Sequence, residues 1–269
     1  MTRDPRISRL REAREDIRRA RRIPDTPQTL SPAYRLAFKD EAFLQSEPMR
    51  GVRLQLELSK VEMELEARGI TSTVVLFGSA RIPAPGAEAR SPELARLAPY
   101  YEMAREFARA VTERSLDCGC RENVVCTGGG PGIMEAGNRG AEEAGGCSIG
   151  LNIVLPHEQA PNRYVTPELS FNFHYFAIRK MHFLMRARVI AVFPGGFGTL
   201  DEMFEAITLI QTGRMRAIPI ILLGRAFWNL LVNWQALVEA GTIAEEDLKL
   251  LHFVDTVEEA LAIFDACPG

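Results

Sequence analysis

Three times along this 269-residue chain an apolar run breaks at glycine and other small residues and gives way to a helical pattern. Thr73 to Phe77 ends in Gly78-Ser79-Ala80-Arg81. Val124 to Cys126 ends in Thr127-Gly128-Gly129-Gly130-Pro131-Gly132. Val189 to Phe193 ends in Pro194-Gly195-Gly196-Phe197-Gly198-Thr199. Near-continuous apolar strands alternating with helices imply a parallel sheet buried on both faces. Further strands are expected at 148–154 and 218–223. Helices are expected at 100–114, 132–144, 177–187, 198–212, 228–240 and 257–264. The fold class is therefore α/β, a doubly wound parallel sheet. Right-handed crossovers bring the glycine-rich strand ends to one edge, where such sheets bind ligands.

Residues 1–70 read differently, as an N-terminal helical extension to a catalytic domain at 71–269. Nine arginines and four acidic residues lie between Arg3 and Arg22, a pattern that suits a solvated helix with i,i+4 pairs. A nucleic-acid arm is the competing reading. Leu54, Leu58, Val61 and Leu65 share one helical face, and Gly69 is placed to end that helix.

Hydrophobic residues make up 46% and charged residues 25% of the chain, with a net charge of −3, which is ordinary for a globular protein and argues against a general nucleic-acid binder. No apolar run approaches the length of a membrane span, and the N-terminus has no signal-like apolar region, so a cytoplasmic protein without a membrane partner is expected. The five cysteines and four histidines show no metal-ligand spacing, and no metal is expected.

The glycine loops carry the chemistry. Glycine lets a backbone approach an anion closely, and the first N–H groups of the following helix lack intrahelical partners. The helix dipole adds positive potential there. The loop at 127–132 departs from both the dinucleotide fingerprint and the P-loop spacing. Glu202, just after the loop at 194–199, is a poor phosphate ligand and points to chemistry on the group that the phosphate carries. Thr199-Leu200-Asp201-Glu202 also fits a T-x-x-E capping box, which explains the carboxylate equally well. Phe173 to Lys180 places the adjacent cations Arg179 and Lys180 after a run of aromatics.

Taken together, Arg179-Lys180 followed by PGGFGTLDE at 194–202, GGGPGIM at 128–134 and Gly78-Ser79 resemble the lonely-guy (LOG) family of cytokinin-activating phosphoribohydrolases, whose older label is "lysine decarboxylase". The resemblance runs from about Thr71 to Phe264. It implies a Rossmann-like fold, a homodimer or larger assembly, and no cofactor. It also implies hydrolysis of the N-glycosidic bond of a nucleoside 5′-monophosphate, AMP or an N6-modified AMP, to free base and ribose 5-phosphate. By motif, Arg179 and Glu202 are the expected catalytic pair. Gly195, Gly196, Gly198 and Thr199 are expected to hold the phosphate. Gly78, Ser79, Gly129, Gly130, Gly132, Met134, Glu158, Lys180 and Thr208 are expected to line the substrate site. Tyr175-Phe176-Ala177-Ile178 replaces the Met-His of the short plant-type enzymes, and with the extension this resembles a longer bacterial branch. Cytokinin precursors and purine nucleotides in general are both compatible. The alternative is a non-catalytic nucleotide- or cofactor-binding carrier of the same fold.

Overall fold

The computed structural model describes residues 12–20, 22–155 and 160–267. The chain divides into two compact units, Met1–Ser59 and Lys60–Gly269. In the first unit, the helix α1 (Ala13–Ala20) buries none of its residues, as a strip of charged side chains dictates. The short helix α2 (Glu41–Gln45) is capped by Asp40, whose side chain accepts from the Phe43 N–H at 3.3 Å. The helix α3 spans Arg50–Ala67. Its Leu54 and Leu58 are half-buried, while Val61 and Leu65, in the second unit, are buried in that unit's core.

The second unit is built on a seven-stranded parallel sheet in the order β4-β3-β2-β1-β5-β6-β7. The strands are β1 (Thr73–Phe77), β2 (Val124–Thr127), β3 (Ser148–Ile153), β4 (Ser170–Phe173), β5 (Ala187–Val192), β6 (Ile220–Leu223) and β7 (Leu251–Val254). The helices are α4 (Pro92–Ala95), α5 (Pro99–Leu116), α6 (Ile133–Glu143), α7 (Phe176–Met185), α8 (Phe197–Gln211), α9 (Arg225–Leu231), α10 (Trp234–Glu239) and α11 (Val257–Ala266).

Two cores form because successive strand residues point to opposite faces. Val75 and Phe77 of β1 pack with Phe183 of α7, Met203 and Ala206 of α8, and Trp228 and Trp234. Val74 and Leu76 pack with Tyr101, Phe107 and Val111 of α5, Ile133 of α6, and Phe264 of α11. All five β1 residues are buried, which is why this strand reads as an unbroken apolar run. The strand order reverses between β1 and β5, and that switch point fixes where a ligand can sit.

The structure refines several sequence expectations. The single helix expected at 228–240 is two, α9 and α10, separated at Val232 and Asn233. The Asn233 side chain caps the second by accepting from the Ala236 N–H at 3.1 Å. The strands β4 and β7 were not expected. Each has four residues and lies at an edge of the sheet.

Candidate active site

A cleft of about 310 Å³ opens at the carboxyl ends of the strands around the switch point. Gly78, Ser79, Ala80 and Arg81 line it after β1, Gly128 after β2, and Met134 from α6. Asn152, Ile153 and Leu155 border it at the end of β3, with Ala160 and Pro161 beyond. Phe176 and Arg179 enter from α7, and Gly196, Gly198, Thr199 and Glu202 from the start of α8.

Gly196 is the N-cap of α8, and no side chain caps that helix end. Thr199 is thus the third helical residue and Glu202 the sixth. The capping-box reading of Thr199 and Glu202 fails, because the helix begins three residues too early for it, and Glu202 stands in the second turn rather than the first. The N–H groups of the first turn have no side-chain acceptor and face the cleft through Gly198, which suits an anion.

Glu202 is largely removed from water, its side chain 16% exposed. Burial pushes its carboxyl up from the ordinary 4.5 to about 7, against the opposing pull of Arg179. Arg179 is itself buried. Its Nε donates to the Leu151 carbonyl oxygen at 2.7 Å, and its Nη1 lies 3.3 Å from Glu202 Oε1. The guanidinium also lies over the Phe183 ring, 5.1 Å from its centroid. The absence of a side chain at Gly128 makes room for this arrangement: a Cβ there would lie 2.5 Å from Arg179 Nη2 and 2.7 Å from Met134 Sδ. At neutral pH the pair is a fixed cation beside a carboxyl that can gain or lose a proton.

The loop at 127–132 is braced by side chains rather than open. Asn162 Nδ2 donates to the carbonyl oxygens of Gly129 at 3.1 Å and Gly130 at 3.0 Å, and to Asn138 Oδ1 at 2.9 Å. Thr127 Oγ1 donates to Asn138 Oδ1 at 2.7 Å and accepts from the Gly129 N–H at 2.9 Å. Gly132 has φ +68°, and a Cβ there would overlap the Ser79 carbonyl oxygen. Gly129, Gly130 and Gly132 are buried and do not line the cleft.

Of the residues singled out from sequence, Gly78, Ser79, Met134, Arg179, Gly196, Gly198, Thr199 and Glu202 converge on the cleft. Gly195 lies behind Thr199. Lys180 stands outside the cleft lining, its Nζ 3.0 Å from Asp201 and 2.6 Å from Glu205. Thr208 is exposed further along α8 and donates to the Phe204 carbonyl oxygen at 2.7 Å. Glu158 lies outside the described residues. Sequence reasoning gave no site role to Arg81 and Asn152 and singled out Phe176 only within the run of aromatics before Arg179; all three line the cleft. A signal existed for Asn152, a polar residue between Leu151 and Ile153 at the carboxyl end of β3.

A family model described as "Possible lysine decarboxylase" matches residues 134–264. The chain is 29% identical over 169 residues to the cytokinin riboside 5′-monophosphate phosphoribohydrolase LOG of Oryza sativa subsp. japonica, covering 61% of this chain and 65% of that protein. It is 37% identical over 76 residues to a bifunctional cytokinin biosynthesis protein of Fusarium pseudograminearum, covering 28% of this chain and 16% of that one. The chain therefore spans less than two thirds of these curated relatives. Among solved structures, it is similar to a molybdenum cofactor binding protein of Rippkaea orientalis. The identity is 18% and the TM-score 0.48, with 73% of this chain and 96% of that one covered.

Proposed function

We propose that this chain is a member of the lonely-guy family and that it hydrolyses the N-glycosidic bond of a nucleoside 5′-monophosphate, AMP or an N6-modified AMP, to free base and ribose 5-phosphate. One observation carries the reading: a buried carboxyl, Glu202, sits inside a cleft whose rim is an uncapped helix start, with Arg179 held 3.3 Å away. A protein that only binds phosphate gains nothing from such a carboxylate. The cleft volume, about 310 Å³, lies at the small end of ligand pockets and suits a mononucleotide rather than a dinucleotide.

The start of α8 holds the phosphate, with Gly196, Gly198 and Thr199 around it. That grip fixes the ribose, so binding energy remote from the breaking bond supports the chemical step. Cleavage of the glycosidic bond builds positive charge on the ribose ring. The Glu202 carboxylate stabilises that charge and takes a proton from the attacking water, whose oxygen bonds to the anomeric carbon. The base leaves with the electrons of the broken bond and takes up a proton from solvent, to which Glu202 returns the one it took from water. Arg179, anchored on the Leu151 carbonyl, orients Glu202 and brings its positive charge to the substrate. Phe176 presents an exposed ring at the cleft wall on which a base can stack.

The family label fits the cleft poorly. Amino-acid decarboxylation on pyridoxal phosphate needs a Schiff-base lysine, and none of the described residues lining the cleft is a lysine. The protein acts as a homodimer or larger assembly. Phe176, Met181 and Met185 of α7 and Phe197 of α8 support this, as large apolar side chains left exposed on two helices that the Lys180–Asp201 and Lys180–Glu205 ion pairs join. Two measurements test the proposal. A panel of nucleoside monophosphates incubated with the protein should yield free base and ribose 5-phosphate, and no base from any member overturns the reading. Light scattering of the full chain should give a mass above that of one 30.0 kDa subunit.

A further inference from the structure

A phosphate monoester near neutral pH carries roughly −1.5 to −2 charge, and the cleft holds few groups to meet it. The α8 start supplies about half a positive charge. Arg179 faces Glu202 and the Leu151 carbonyl. Lys180, the other cation that the sequence suggested, lies between Asp201 and Glu205 outside the cleft. Arg81 remains. It lines the cleft, its side chain is exposed, and no carboxylate among the described residues pairs with it.

Its backbone is held in place. The Ser79 N–H donates to the Pro194 carbonyl oxygen at 3.0 Å, which joins the loop bearing Arg81 directly to the loop that opens α8. The Ser79 carbonyl oxygen accepts from the Ile133 N–H at 3.1 Å, and the Arg81 N–H donates to Ser79 Oγ at 3.1 Å. Ile82, the next residue, is buried in the core. Ser79 is therefore tied to the loop that opens α8, and Ile82 is anchored in the core on the other face of the sheet, so the segment between them holds Arg81 at the cleft. A guanidinium offers paired N–H donors that match phosphate oxygens.

We propose that Arg81 is the phosphate-reading residue of this cleft: it pairs with the 5′-phosphate that the α8 start holds, and so selects a phosphorylated sugar over a free nucleoside. The identity of the substrate rests on the nucleotide-hydrolysis reading. The role of Arg81 requires only that a sugar phosphate binds.

The test separates the two. Titration of ribose 5-phosphate into the full-length protein, followed by calorimetry, should show binding that weakens about tenfold to a hundredfold in Arg81→Gln. Arg81→Lys, which keeps the charge without the fork, should fall between. Thermal unfolding of both variants should match the parent, since the side chain is exposed and makes no hydrogen bond or ion pair among the described residues. Ribose without phosphate should bind parent and Arg81→Gln equally. Undiminished binding of ribose 5-phosphate by Arg81→Gln overturns the assignment, as does a parent protein that does not bind it. A protein that binds ribose 5-phosphate through Arg81 yet releases no base from any nucleotide leaves the assignment standing and sinks the proposed hydrolysis.

Discussion

The two glycine-rich loops look alike in sequence and do opposite things in the structure. The loop at 127–132 is filled by its neighbours: Asn162 ties down two of its carbonyls, Arg179 and Met134 crowd Gly128, and the Ser79 backbone crowds Gly132. The loop at 194–199 is open at its middle, where a Cβ on Gly196 or Gly198 would meet nothing within 4 Å and the intervening Phe197 is 92% exposed. Glycine serves the first loop by letting protein pack against it, and the second by leaving space in front of a helix start. The first is a platform that sets Arg179. The second is a socket.

The sharpest test of this contrast is chemical. Glu202→Gln should lower the rate of base release by about 10²–10⁴-fold, measured as kcat with AMP, while ribose 5-phosphate still binds the socket. Full activity in that variant removes Glu202 from the reaction.

The pH dependence follows from the raised carboxyl. Its folded-state value of about 7 stands above the ordinary 4.5, so its contribution to stability is complete below about 4.5 and is lost as pH rises through about 7. Between pH 5 and pH 8 the parent should therefore lose stability relative to Glu202→Gln by up to about 3 kcal/mol in urea titrations. The same ionisation should make kcat/KM rise with pH to a plateau above about 7. A rate that falls over this range would assign Glu202 the acid's part instead.

Next comes the platform. Gly128→Ala should cost about 1–3 kcal/mol of stability by overpacking and should lower kcat by displacing Arg179. Asn162→Ala should cost a similar amount, because it leaves the Gly129 and Gly130 carbonyls without that donor. Smallest is Gly198→Ala in the socket. Alanine in a helical position should leave stability unchanged or raise it by up to about 1 kcal/mol, while its methyl group raises KM for the nucleotide. A destabilised Gly198→Ala beside an untroubled Gly128→Ala would reverse the contrast.

Much of the fold was legible because β1, β2, β3, β5 and β6 lie inside the sheet: β1, β2, β5 and β6 run largely apolar, and β3 alternates Ile149, Leu151 and Ile153 with Ser148, Gly150 and Asn152. The edge strands escaped notice for the complementary reason. In β4, Ser170 and Asn172 are partly or fully exposed between Phe171 and Phe173, and in β7, His252 and Phe253 are only half-buried, so neither makes an unbroken apolar run. Within the site, motif order was enough to bring Arg179 and Glu202 to attention. The sequence could not say which residue starts α8, and the T-x-x-E pattern is the same whether Thr199 caps the helix or lies inside it. Lys180 and Arg81 were beyond a one-dimensional reading. Both are cations near glycine loops, and only their surroundings separate a lysine held by two carboxylates from an arginine facing the cleft.

The start of α8 and Glu202 belong to one rigid rod, which makes the helix a ruler. Gly198 and Thr199 precede Glu202 by four and three residues, about 4.5–6 Å along the axis. On the proposed reading, that interval is the span between the gripped phosphate and the bond to be broken. A sugar that carries a single phosphate on its 5′ carbon fits the gauge. A nucleoside diphosphate held by its terminal phosphate would carry its glycosidic bond past the carboxylate. On that reading a helical rise separates the monophosphate from the diphosphate, while Arg81 separates the phosphorylated sugar from the free nucleoside.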